Sequence, residues 1–220
     1  MKRVLVIACH PDDEVLGCGG VLHSLSQRED VETYVHILCD RKLNGSFNKG
    51  LTKKLKEQSR EVQKILGVTK YIYSMLPDEE LHEHFIDVQQ QVEKVRDDIQ
   101  PDIIFVHHPG DINQDHQTAF KAAKIAYRVG RYDKPFKMFT YEVLSSTTQG
   151  YEPLHPTWFY EITHADIQAK IQAMRVYESE YGGERSYEGI MTLATHRALQ
   201  GGVHEFAEAF HFVQGKGELF

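Results

Sequence analysis

With 220 residues, 25 basic against 32 acidic side chains and a formal net charge of -7, the chain is long enough for one domain with a full core and too short for two. The acidic balance excludes a nucleic-acid partner as the expectation, because a phosphate backbone needs a concentrated basic surface. Three cysteines, Cys9, Cys18 and Cys39, are too few and too unevenly placed for a disulfide framework and point to a reducing compartment.

The first strand is predicted over residues 4–8, an unbroken apolar run of the kind that has both faces covered in a parallel sheet. It opens the chain with no room for a signal peptide, and no later apolar run could span a membrane. A cytoplasmic protein without stable membrane insertion is therefore expected. The strand breaks into His10-Pro11-Asp12-Asp13-Glu14, and a helix follows over 15–27. Further apolar strands are predicted at 35–38, 71–74 and 103–106, separated by helices at 51–66 and 83–99. Lysines between 49 and 64 alternate with Glu57 and Glu61, the pattern of a solvated helix face. Val88, Val92, Val95 and Ile99 recur at helical spacing. The strand at 103–106 runs into His107-His108-Pro109-Gly110-Asp111-Ile112-Asn113-Gln114-Asp115-His116, and a helix is predicted over 117–129. Strands at 137–143 and 158–162 and helices at 165–177 and 187–200 complete the reading, with Gly182-Gly183-Glu184 as a flexible loop.

Strand-helix alternation with short links predicts one α/β domain over 1–220. It is a Rossmann-like, mostly parallel sheet flanked by helices, with additional C-terminal strands and helices. In the common doubly wound order the first and fourth strands are neighbours where the winding reverses, and ligands bind at their carboxyl ends. The two dense His/Asp clusters leave those two strands at one sheet edge. Imidazole and carboxylate together suit a cation such as zinc, and a catalytic zinc site has three protein ligands and one open position. His10, one of Asp12 and Asp13, and His116 make such a set. The remaining aspartate is then available as a general base, and the residues alone do not say which is which.

Other residues admit plainer roles. Asp115 is expected to cap the helix it opens or to orient His116, and Glu14 to favour a helix N-terminus by its charge. His107 and His108 are read as solvated or pocket-lining rather than as metal ligands. Arg41 and Lys42 follow the second strand at the same edge, where they are placed either to hold a sugar hydroxyl or phosphate or simply to face solvent. Gly17-Cys18-Gly19-Gly20 is not a dinucleotide fingerprint: Leu22 stands where the third glycine belongs, and three carboxylates precede the glycines where a pyrophosphate would sit. Close packing of helix on sheet is the better use of these glycines. His196 and Arg197 have no interpretable local context, and the loops around Asn44, Thr147 and Tyr151 carry no decipherable signal.

Ala8-Cys9-His10-Pro11-Asp12-Asp13-Glu14, then Gly17-Cys18-Gly19-Gly20, with Asp115-His116 far downstream, resembles the PIG-L/LmbE-like family of zinc-dependent N-acetylglucosaminyl deacetylases. Arg60-Glu61 before Leu66-Gly67, Pro77-Asp78, Tyr141-Glu142 and Ala207-Glu208-Ala209-Phe210 also look like family positions. The resemblance implies that His10, Asp13 and His116 bind Zn2+ and that Asp12 is the general base for attack by zinc-bound water. The implied substrate is an N-acetylglucosamine-type aminosugar, often joined to a lipid, a thiol precursor or a glycoside. Related proteins are often homo-oligomeric. One position departs from the pattern. Many members have a histidine that stabilises the oxyanion three residues before the last ligand, and this chain has Asn113 there. The catalytic oxyanion donor is therefore Asn113, zinc itself, or His107 or His108, with His107, His108 and Arg41 as the substrate-binding candidates. Loss of one such donor raises a barrier by about 3 to 4 kcal/mol. The rival readings are an amidase of the same family acting on a larger thiol-sugar conjugate, and a non-catalytic metal- or carbohydrate-binding protein.

Overall fold

The computed structural model describes residues 1–40, 42–43, 46–47 and 49–217. In chain order the elements are β1 (Lys2–Ala8), α1 (Asp13–Ser26), β2 (Val31–Asp40), β3 (Lys42–Leu43), β4 (Ser46–Phe47), α2 (Lys49–Leu66), β5 (Lys70–Pro77) and α3 (Phe85–Ile99). They continue with β6 (Ile103–His107), α4 (Gln114–Ala126), β7 (Phe136–Tyr141), β8 (Trp158–Ile162), α5 (His164–Val176), a 3-10 turn at Gly183–Arg185, α6 (Tyr187–Gly201) and β9 (Phe206–Lys216).

The main sheet runs β5-β2-β1-β6-β7-β9-β8, and β3 with β4 forms a separate two-stranded ribbon. β5, β2, β1, β6 and β7 are mutually parallel. β9 is antiparallel to both β7 and β8. Val4 pairs with Ile103 and Val6 with Phe105, so the first and fourth long strands are neighbours as the winding rule requires. This is the α/β class expected; the short β3 and β4 were not foreseen, and in the main sheet the one missed strand is β9. That strand carries an acidic residue, Glu208, in a run buried from Ala207 to Phe210, which hides the apolar signal by which strands are read.

Side chains of β1 alternate between two cores, which is why the strand reads as wholly apolar. Val4, Val6 and Ala8 pack with α1, α2, α5 and α6 residues, among them Leu16, Val62, Ile171 and Ala194. Leu5, Ile7 and Cys9 pack on the opposite face against α3 and α4 residues such as Val92 and Ala122. All three cysteines are buried free thiols. Among the described residues no helix is long and apolar enough to cross a membrane.

The glycines of α1 serve close approach. A Cβ on Gly17 would sit 2.1 Å from the Tyr141 ring, and one on Gly20 2.7 Å from Ile162. Gly19, where a Cβ would meet the Lys170 side chain at 2.9 Å, leaves room for a buried ion pair against the helix. Lys170 Nζ lies 2.6 Å from Glu208 Oε1 and donates to the Leu16 carbonyl at 2.8 Å. Glu208 accepts from the Gly20 and Val21 amides at 2.9 and 2.8 Å. Removing one partner of such a pair strands the other charge in a dry interior, at about 3 to 5 kcal/mol. Lys170→Met is expected to lower the melting temperature by about 10 °C; a shift under about 2 °C in a thermal unfolding scan would show that the pair contributes nothing to stability.

Candidate active site

His10 leaves the end of β1 and Asp13 begins α1, while His116 lies in the first turn of α4 after β6. The adjacency of β1 and β6 brings these distant segments together. The His10 amide donates to Asp13 Oδ2 at 2.8 Å. His10 Nδ1 and His116 Nε2 each approach that same oxygen at 3.3 Å, with the two ring centroids 5.5 Å apart. One donor atom from each of His10, Asp13 and His116 falls within 4.8 Å of the others.

The donor set fits a borderline divalent cation. Both ring nitrogens of His116 are buried without a hydrogen bond of good geometry, despite approaches of 3.3 Å to Asp13 and 3.1 Å to Asp111, and such orphaned atoms are of the kind a cation satisfies. Proton affinities tell the same story. Burial would push the His116 imidazole down, but Asp13 and then Asp111 outweigh it and hold its pKa up at about 9. Burial also opposes charge on Asp13, yet the neighbouring imidazoles, His116 foremost, keep its pKa well below the usual carboxylate range. The site stabilises positive charge on its imidazoles because the carboxylate between them is ionised.

Asp111 stands behind His116. Its Oδ2 lies 3.1 Å from His116 Nδ1 and accepts from the Thr147 and Ser146 hydroxyls at 2.5 and 3.0 Å. A carboxylate behind a metal-ligating histidine sets its tautomer and basicity. Asp115, expected in that role or as a helix cap, does neither. It accepts from the Glu79 and Leu81 amides at 2.8 and 3.2 Å, pinning the loop after β5, and lies 3.4 Å from His10 Nε2. His10 Nε2 also meets Asp78 Oδ1 at 2.9 Å. The cap of α4 is Asn113, whose side-chain oxygen accepts from the Asp115 and His116 amides at 2.8 and 3.4 Å.

His107 is fully buried beneath His116, with ring centroids 3.7 Å apart and planes 16° from parallel. Its Nε2 accepts from the Cys9 amide at 3.0 Å, and burial and His116 push its pKa well below the usual range. His108 places Nε2 3.1 Å from the Glu152 carbonyl. Neither histidine lines the cavity, so the pocket-lining reading of both is replaced by a supporting one. Their strand-end position placed them near the site but could not say which way each ring turns. Arg41 and Asn44 lie outside the described residues.

The cavity above His10, Asp13 and His116 has a volume of about 300 Å³. Besides these three, Asp12, Asp78, Glu79, Asn113, Ser146 and Arg185 line it. Asp12 is 1% exposed and stands at φ 128, ψ -33, a conformation that costs a non-glycine residue about 1 to 3 kcal/mol and persists where surrounding structure enforces it. Its Oδ2 accepts from Arg185 Nη1 at 2.8 Å. Glu14, expected to favour the helix N-terminus by its charge, stands in the first turn of α1 and is wholly buried. It accepts from the Tyr71 and Tyr177 hydroxyls at 3.1 and 2.9 Å and from the Asp12 amide at 3.0 Å. Burial pushes its pKa up to about 7.

A family model described as PIG-L: GlcNAc-PI de-N-acetylase matches residues 5–127, more than half of the chain and all of the His10, Asp13 and His116 set. The chain belongs to the PIG-L family. Among its relatives, the uncharacterized deacetylase YaiS of Escherichia coli is 29% identical over 132 residues, covering 58% of this chain and 69% of that protein. Diacetylchitobiose deacetylase of Thermococcus kodakarensis is 25% identical over 230 residues, covering 98% and 84%. Among solved structures, GalB, the 4-carboxy-2-hydroxymuconate hydratase of Pseudomonas putida, superposes with a TM-score of 0.80 at 20% identity, covering 99% and 98%. That likeness is one of fold alone, and it puts the burden of function on the site.

Asp111 and Arg185 are among the site residues that sequence reasoning missed, as are Glu79 and Ser146. Asp111 sat in plain view within the second cluster, but Ser146 and Thr147, which mark it as buried and oriented, lie beyond β7 without a local signal. If the His10, Asp13 and His116 set holds a divalent cation, Asp111→Ala is expected to weaken its binding by about 10- to 100-fold, measured by competition with a chelator; unchanged affinity would dismiss its hold on His116.

Proposed function

We propose that this chain is a zinc-dependent hydrolase that removes the N-acetyl group from an N-acetylglucosamine-type aminosugar or its conjugate. The observation that carries the reading is Asp12, an acidic side chain beside the His10, Asp13 and His116 donor set in one cavity at the carboxyl ends of β1 and β6. A divalent cation held by His10, Asp13 and His116 would polarise a carbonyl and lower the pKa of water towards neutrality. Asp12 takes a proton from the attacking water on a carboxylate oxygen and returns it to the nitrogen as the amide C–N bond breaks. The diacetylated sugar named as substrate of the Thermococcus relative supports the class of leaving group. The three buried free thiols support a reducing, cytoplasmic setting.

Asn113 supplies the oxyanion contact in this reading. Its side-chain oxygen is committed to the α4 amides, so the amide NH2 is the end it presents to substrate. Asn113→Asp retains the cap while removing the donor. It is expected to lower kcat by about 10²-fold with the melting temperature unchanged, and wild-type kcat would exclude the contact.

Acetate release across free, nucleotide-, thiol- and lipid-linked N-acetylglucosamine tests the activity and separates it from cleavage of larger amides. Chelation should abolish release and zinc restore it. Asp12→Ala should fold and retain zinc while losing about 10²- to 10⁴-fold in rate; near-normal turnover would refute its role. A protein that binds zinc yet releases acetate from none of these sugars would favour a non-catalytic binding function.

A further inference from the structure

Asp12 occupies the N-cap position of α1, where an aspartate ordinarily folds its carboxylate back onto the amides of the first turn. It makes no such bond here. The Val15 and Leu16 amides are satisfied by its backbone carbonyl at 3.0 and 2.9 Å, and the carboxylate reaches Arg185 at 2.8 Å. The guanidinium is itself held at several points. Its Nε donates to Ser145 Oγ at 3.0 Å, and Nη1 lies 3.4 Å from Glu180 Oε2 as well as near Asp12.

The backbone is shaped to deliver this group. Arg185 closes a 3-10 turn led in by Gly182 at φ 143 and Gly183 at φ 52, and a Cβ at either glycine would meet open space. Backbone conformation, not crowding, is what glycine provides there. Ser145 stands at φ 76, another constrained residue at the same contact. Ser186 then caps α6 by accepting from the Gly189 amide at 3.4 Å, so the turn is fixed on its downstream side.

We propose that Arg185 is a positioning residue that turns the Asp12 carboxylate away from its own helix and into the cavity, and that the turn at 182–185 is thereby part of the catalytic apparatus. This rests on the reading of Asp12 as the base. Arg185 lies outside the residues matched by the family model, so membership of the family does not assign it. A guanidinium suits the task because its planar fork meets Asp12 and Ser145 together, which a single ammonium on a flexible stem does not reproduce.

The test compares Arg185→Gln, Arg185→Lys and Arg185→Ala in the zinc-loaded full chain, using the best acetylated sugar of the panel above. A carboxylate misdirected by about 1 Å costs about 10²-fold in rate. Arg185→Gln is therefore expected to lose about that much in kcat, with KM within about threefold and zinc content and melting temperature unchanged. Arg185→Lys should fall between it and wild type, and added guanidinium should restore part of the activity of Arg185→Ala. A kcat within twofold of wild type, or a loss that tracks zinc content or melting temperature, overturns the proposal. A second readout needs no substrate. Restricted rotation of the Arg185 guanidinium, seen by nitrogen-detected NMR as resolved Nη signals, should be lost in Asp12→Asn. Signals unchanged by that substitution overturn the clamp, whereas an intact signature in a protein inactive on every sugar overturns the deacetylase reading alone.

Discussion

One carboxylate oxygen organises the centre of this protein. Asp13 Oδ2 receives the His10 amide at 2.8 Å and faces His10 Nδ1, His107 Nε2 and His116 Nε2 at 3.3, 3.4 and 3.3 Å. An ionised carboxylate in an interior is expensive unless it is paired, and here the surrounding imidazoles provide the compensation. The same convergence of a hard oxygen and imidazole nitrogens is what a zinc-class cation requires. The cost of burying charge and the capacity to hold a metal therefore have a common origin.

Around that centre the charges are graded by what each side chain can reach. His116 is held basic by Asp13 and Asp111, while His107, packed flat beneath it, is driven neutral by burial and by His116 itself. Asp115 gives up its oxygens to loop amides and so anchors Asp78 and Glu79 at the rim of the cavity. Asp12 carries the least ordinary backbone conformation of the group and is tied to a guanidinium from the far end of the chain. Such concentration of strain and buried charge is typical of sites where geometry is set by chemistry rather than by stability.

The C-terminal third supplies much of the support. β9 brings Glu208 and α5 brings Lys170 into the backbone of α1, the helix whose first residue is Asp13. The segment after β7 brings Ser146 and Thr147 to Asp111. Arg197, unreadable in isolation, makes a bidentate pair with Glu142 at the end of β7. The motif residues lie early and midway along the chain, and what holds them rigid arrives late.

The amino-acid sequence by itself determined the α/β class, the neighbouring positions of the first and fourth long strands, and the meeting of His10 and the Asp12-Asp13 pair with His116. Those features follow from apolar periodicity and from the handedness of parallel crossovers, which are local or nearly universal. The tertiary structure alone decided that Asp111 and not Asp115 stands behind His116, that His107 turns inward, that Glu14 is buried between two tyrosines, and that Arg185 meets Asp12. Each of these depends on the direction of a side chain relative to a partner many residues away. Such directions are set by packing across elements and leave no trace in the local pattern of residues.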